Sequence, residues 1–184
     1  MTRIATRPLG PPASSTASPE STGPAATAGI AIFYGQADHR SDGRDFAPLV
    51  VGLGHAGKPG EPPRRTMAPG VTGGSSGAEV IPEIAPQVGD YVVRKHRWST
   101  FYQTHLELSL RTAGIDTIMI AGGSTEVGVA STAYSARDCD FNLILLRDAC
   151  TSGKPGVNDF FMDTVFPIFA RVMTVDEAIA AIER

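Results

Sequence analysis

Two nearly continuous apolar runs, Ile115–Ala121 and Phe141–Leu146, flank a segment from Thr125 to Asp138 whose small and apolar residues follow helical spacing. Such runs suit strands covered on both faces, because a strand with one wet face carries polar residues at alternate positions. Strand, helix and strand in that order call for a crossover that returns the second strand parallel to the first. The same alternation continues outward: Gly29–Tyr34 and Asp90–Arg94 read as strands, and Phe101–Ala113 as an amphipathic helix with Leu106, Leu110 and Ala113 on one face and Gly114 as its stop. Helices over Val157–Ala170 and Val175–Glu183 surround a short strand at Arg171–Met173. The pattern predicts an α/β fold with a mostly parallel sheet wrapped by helices, and ligands at the carboxyl ends of its strands.

Composition narrows the function classes. The 184 residues are 42% hydrophobic and 19% charged, enough for one substantial core. A net charge of −3, with acids and bases interspersed and no basic run longer than Arg64-Arg65, argues against nucleic acid and anionic membranes as partners. Small molecules or other proteins fit better. The longest apolar run is far below the roughly 20 residues a bilayer requires. Cys139 and Cys150 have neither metal-knuckle spacing nor the density of a disulfide scaffold, which points to a reducing cytoplasm.

Residues 1–28 are almost entirely Pro, Ser, Thr, Ala and Gly, and read as a disordered tail ahead of a domain spanning 29–184. Five prolines oppose the amphipathic helix of a transit peptide. From Gln36 to about Pro82 the chain is again rich in Gly and Pro, a connection long enough to cover a pocket.

Three blocks carry the chemistry. Val93-Arg-Lys95-His-Arg-Trp98-Ser99-Thr-Phe101 follows a strand; Ile120-Ala-Gly-Gly-Ser124-Thr-Glu-Val-Gly128-Val-Ala-Ser-Thr132-Ala133 runs a strand through a glycine turn into a helix; Asp148-Ala149 closes the next strand. In order and spacing they resemble the isochorismatase-like hydrolase superfamily, which includes nicotinamidases and N-carbamoylsarcosine amidohydrolases. That resemblance implies a three-layer α/β/α, Rossmann-like fold and a homo-oligomer. Cysteine members use an aspartate, a lysine and a thiolate lowered in pKa at a helix N-terminus. Lys95 matches the lysine and Gly128 the cysteine, so these are the candidate catalytic positions. The resemblance further implies a cis peptide at Gly123–Ser124, with the Ser124 and Gly128 amides forming an oxyanion hole.

Two departures matter. Gly128 brings no attacking group, and no Asp occurs in the first 37 residues to match the family's acid, so the family's first, central strand is expected to be missing. Glycine at that position resembles the branch that hydrolyses vinyl ethers by protonation and water attack, without a thiol. Gln36 is similar to a substrate-contacting glutamine of that branch, and Trp98 suits the wall of a planar substrate's pocket. Asp38, Asp42 and Asp45 read as solvated turn residues, Cys150 as a passive thiol, and His96 and His105 as structural or exposed. Asp38, His39 and His55 lack the spacing of a shared metal face, so neither a metal nor another cofactor is expected. The reading is a hydrolase of a small metabolite, cleaving a vinyl ether or an amide C–N bond without a cysteine nucleophile. Its alternatives are an inactive binding relative and an N-terminally truncated gene product.

Overall fold

The computed structural model describes residues 2–8, 29–45 and 72–183. Six strands form one sheet: β1 (Thr2–Pro8), β2 (Ala31–Ala37), β3 (Tyr91–Lys95), β4 (Ile115–Gly123), β5 (Asn142–Thr151) and β6 (Arg171–Met173), in the order β3-β2-β1-β4-β5-β6. β2 and β3 pair in parallel, as do β4 with β5 and β5 with β6. β1 runs antiparallel to both β2 and β4, so those two point the same way. The sheet is mixed α/β and mostly parallel, in agreement with the sequence pattern.

β1 corrects one expectation. Thr2–Pro8, read as part of a disordered tail, occupies the middle of the sheet, with Ile4 opposite Phe33 on one side and Ile120 on the other. The expected gap is filled, and by a strand of reversed direction. The physical reason lies in its neighbours: Phe33, Ile118 and Ile120 are fully buried, and their strands cannot leave a row of backbone N–H and C=O groups without partners in such surroundings. The rest of the segment assigned to a disordered tail, residues 9–28, lies outside the described residues.

Helices cover the sheet. α1 (Leu106–Thr112) is shorter than the expected Phe101–Ala113, because Ser99–His105 turn instead of coiling. Thr104 accounts for the late start: its hydroxyl donates to the Thr100 carbonyl at 2.5 Å and accepts from the Leu106 amide at 3.2 Å, capping the first turn. Leu106 and Leu110 face the core, and Gly114, at φ 67°, takes the left-handed turn that ends the helix. A wide turn at Thr125–Val129 runs into α2 (Ala130–Asp138). α3 (Val157–Phe160) continues through irregular turns to Ile168, so the helix expected to reach Ala170 is broken, with Pro167 in its last turn. α4 (Val175–Ile182) begins with a complete capping box between Thr174 and Glu177. One core joins Phe33, Val93, Leu106, Ile118, Ile120, Phe141, Leu145 and Phe166.

A candidate active site at the carboxyl edge of the sheet

Because β2, β3, β4 and β5 point the same way, their carboxyl ends meet at one edge. A cavity of about 490 Å³ opens there. Its walls come from the last residues of each strand and the turns that follow: Gly35, Ala37 and His39 after β2; Lys95, Arg97 and Trp98 after β3; Gly123, Ser124, Val127 and Gly128 after β4; and Thr151–Gly153 after β5. Ligands collect at this edge in open α/β sheets, because crossovers leave a crevice there.

Lys95, Trp98, Ser124 and Gly128 are therefore brought together. Gln36 is not among them, since alternation along β2 turns Gly35 and Ala37 toward the cavity and Gln36 away. Its amide donates instead to the Ala78 carbonyl at 2.6 Å, holding the incoming loop.

Lys95 is 8% exposed, and its ammonium donates to the carbonyls of Trp98 at 2.6 Å and Arg97 at 3.4 Å. Burial lowers its pKa from the ordinary 10.5 to about 8. Among the described residues no carboxylate pairs with it. Trp98 itself is 60% exposed and forms the mouth of the cavity.

The opposite wall is backbone. β4 leaves the sheet through Gly122, whose φ of 142° few other residues adopt, and the peptide between Gly123 and Ser124 is cis. Thr151 approaches so closely that a side chain on Gly123 would meet its methyl at 3.3 Å. The Ser124 carbonyl then accepts from the amides of Val127 and Val129, at 3.1 and 3.3 Å, which widens the turn and brings Gly128 to the cavity.

Sequence reasoning passed over the clamp behind this turn. Thr132, fully buried, donates to the Gly128 carbonyl at 2.7 Å and accepts from the Thr100 amide at 3.0 Å, joining the turn after β4 to the loop after β3. Thr132→Val should destabilise the fold by about 1–3 kcal/mol, since it strands the buried Thr100 amide and leaves the Gly128 carbonyl with only the longer Ser131 hydroxyl contact among its side-chain donors. Thr132→Ser, which keeps the hydroxyl, should cost less. Urea unfolding of the two variants measures the difference; equal losses would mean that the hydroxyl carries no weight.

Among the described lining residues there is neither a carboxylate nor a thiol. Asp38 pairs with Arg94 at 3.7 Å. Asp42 is held by Arg40, whose hydrogen bond lowers its pKa to about 2. The Asp45 carboxylate reaches a cavity residue, through a 3.1 Å contact with His39 Nδ1. Cys150, in β5 opposite Gly122 of β4, is 7% exposed, its Sγ 3.7 Å from the Ile120 carbonyl, and burial raises its pKa to about 11. A thiol so placed is a poor nucleophile. Cys139 lies at the end of α2, away from the cavity lining. His39 is buried against the cavity, while His55, its companion in the rejected metal set, lies outside the described residues. No group of three or more potential metal ligands gathers among the described residues.

Arg97 and Thr151–Gly153 were not singled out from sequence. Arg97 lay inside the Lys95 block, and Thr151–Gly153 directly follow a strand; the rule that strand ends face the ligand was the available signal.

A mostly parallel α/β sheet with a cavity at its carboxyl edge, one buried lysine and a wall of peptide groups defines the class of protein. Residues 25–177 match the isochorismatase domain family, and the chain belongs to it. It is 37% identical over 115 residues to an uncharacterized isochorismatase family protein, YecD, of Escherichia coli O157:H7, covering 58% of this chain and 61% of that one. It is 35% identical over 100 residues to the ureidoacrylate amidohydrolase RutB of Variovorax paradoxus, covering 54% and 40%. The crystal structure of an isochorismatase-like hydrolase from Alkaliphilus metalliredigens superposes with a TM-score of 0.65 at 33% identity, over 81% of this chain and 71% of that one. The chain thus spans about three fifths or less of the length of these curated relatives. No helix among the described residues is long and apolar enough to cross a membrane.

Proposed function

We propose that the protein is a thiol-free hydrolase of a small, planar, carboxylate-bearing metabolite, cleaving a vinyl ether or a C–N bond. One observation carries this: the cavity lining combines two cations, Lys95 and Arg97, with the Ser124–Gly128 turn and no described carboxylate or thiol. Two cations on the lining favour an anionic ligand. The Trp98 ring offers an apolar face to a planar group. Lys95 then polarises the substrate, while the Ser124 and Gly128 amides receive negative charge developing on oxygen. Relatives named as hydrolases support the reaction class.

Two probes test it. 2-Methoxyacrylate is a carboxylated vinyl ether that yields pyruvate and methanol on hydrolysis; N-carbamoylglycine presents a C–N bond beside a carboxylate. Turnover of either by the purified protein is the expected result, and turnover of neither sinks the proposal for those substrates.

The absence of a carboxylate and a thiol from the described lining also favours a second reading, an inactive relative that binds a ligand or a partner chain. Calorimetric binding of the probes without turnover would select it. We also infer a homo-oligomer in the cytoplasm: Tyr102, Leu108, Phe160 and Ile168 are large apolar residues left more than half exposed, and both cysteines are free thiols. Light scattering on the eluted protein measures the assembly.

A further inference from the structure

Apart from Lys95, the cavity carries a further titratable side chain, one with a fixed carboxylate partner. His39 is 8% exposed and lines the cavity, and its Nδ1 lies 3.1 Å from an oxygen of Asp45. Asp45 is itself fixed, its carboxylate accepting from the Arg40 amide at 3.2 Å and its carbonyl from the Arg97 guanidinium at 3.0 Å. The segment bearing His39 is tied to the site as well: the Asp38 amide donates to the Lys95 carbonyl at 3.0 Å, and the His39 carbonyl accepts from the Gly73 amide at 2.8 Å. A carboxylate on Nδ1 selects the tautomer with its proton there, which makes Nε2 the ring's basic nitrogen.

We propose that His39, positioned by Asp45, is the general acid and base of this cavity, supplying the proton transfers for which the lining has no carboxylate. The proposal rests on the hydrolase reading above. For a vinyl ether the steps balance as follows. Imidazolium Nε2–H protonates the terminal carbon, forming a C–H bond at the expense of the C=C bond. Water adds to the resulting oxocarbenium carbon and returns a proton to Nε2. The hemiketal hydroxyl proton then passes to the leaving oxygen as the C–O bond breaks, giving a ketone and an alcohol with one water consumed. His39 touches the reacting atoms and is catalytic; Asp45 is a positioning residue. Among the described residues, the other charged or ionisable groups around the pair include Asp38 with its partner Arg94, Lys95 and Arg97 on the cavity, Arg40 beside Asp45, and His96, whose ring centroid lies 6.0 Å from that of His39.

The test uses the full chain and 2-methoxyacrylate. H39Q should lower kcat by roughly 100-fold or more with KM changed less than about threefold, in line with the usual contribution of a positioned acid. D45N should move the His39 proton from Nδ1 to Nε2 in nitrogen NMR of labelled histidine and lower kcat by about tenfold with KM little changed; a contact that only braces the loop would shift the tautomer and leave kcat in place. The non-hydrolysable 2-methoxypropanoate should shift the His39 Nε2 resonance in the wild type. Retention of kcat within threefold in H39Q overturns the proposal, as does an Nε2 resonance unmoved by the saturated probe. Should the wild type fail to hydrolyse 2-methoxyacrylate, the reaction reading fails for that ether. The NMR arm still decides whether His39 meets a ligand.

Discussion

Ile4→Pro should abolish cooperative folding. Ile4 lies in the middle of β1, opposite Phe33 of β2 and Ile120 of β4, so its backbone is enclosed by strands on both sides. Proline removes the N–H and is found in sheets only at edges, first positions or bulges. A buried carbonyl left without its donor costs about 1–3 kcal/mol. Displacement of the ring's neighbours adds to that, and loss of the whole strand would open β2 and β4 along their length. A domain stabilised by about 5–15 kcal/mol does not survive losing its central strand. Ile4→Val keeps the donor and should cost no more than about 1.5 kcal/mol. Urea unfolding followed by circular dichroism separates the two; an unchanged midpoint for Ile4→Pro would show that Thr2–Pro8 is not part of the working sheet.

The second large effect concerns Lys95. Lys95→Met should reduce turnover of a responsive probe by roughly 100-fold or more, because the cavity loses its buried cation. Its effect on stability has a separate signature. The folded pKa, about 8, lies below the ordinary 10.5, so between those values the unfolded chain binds more protons than the folded one. Stability of the wild type should therefore rise with pH from about 8 to 10.5, by an amount on the order of 3 kcal/mol for a gap of this size. Below pH 8 both states carry the charge and the penalty is fully present. Lys95→Met removes the titrating group and should flatten this rise, although it strands the carbonyls of Trp98 and Arg97. Denaturation midpoints at pH 7, 8, 9 and 10 measure it. A wild-type slope that persists in Lys95→Met would assign the dependence to other groups. Activity requiring the ammonium should fall as pH rises through about 8, opposite in direction to the gain in stability. This opposition is characteristic of a charge kept buried for function.

Much of the fold was legible in the chain. β6 begins and ends where the sequence placed it, and β4 and β5 follow the two apolar runs, extended toward their carboxyl ends into Gly123 and Thr151. The ends of those extensions were illegible because Gly123 and Thr151 enter the cavity wall, where side-chain polarity no longer reports burial. α1 started late because the Thr104 hydroxyl offered a local cap that periodicity does not register. Lys95, Trp98, Ser124 and Gly128, taken from linked motifs, line one cavity, whereas Gln36 lies off its lining because one step along a strand reverses the face. His39 and Asp45 had been weighed singly, as metal ligand and turn residue. Their contact spans a loop whose shape no local pattern encodes.

Sequence by itself determined the alternation of buried strands and helices, the family and the backbone character of the Gly122–Gly128 turn, because periodicity and glycine content are local and survive without knowledge of neighbours. Tertiary structure alone decided what stands at the centre of the sheet and which charges meet in the cavity. Thr2–Pro8 has a composition that calls for no strand; it becomes one because β2 and β4 present unpaired backbone on either side. Lys95 is an ordinary lysine in sequence, and only enclosure by the cavity walls lowers its pKa to about 8.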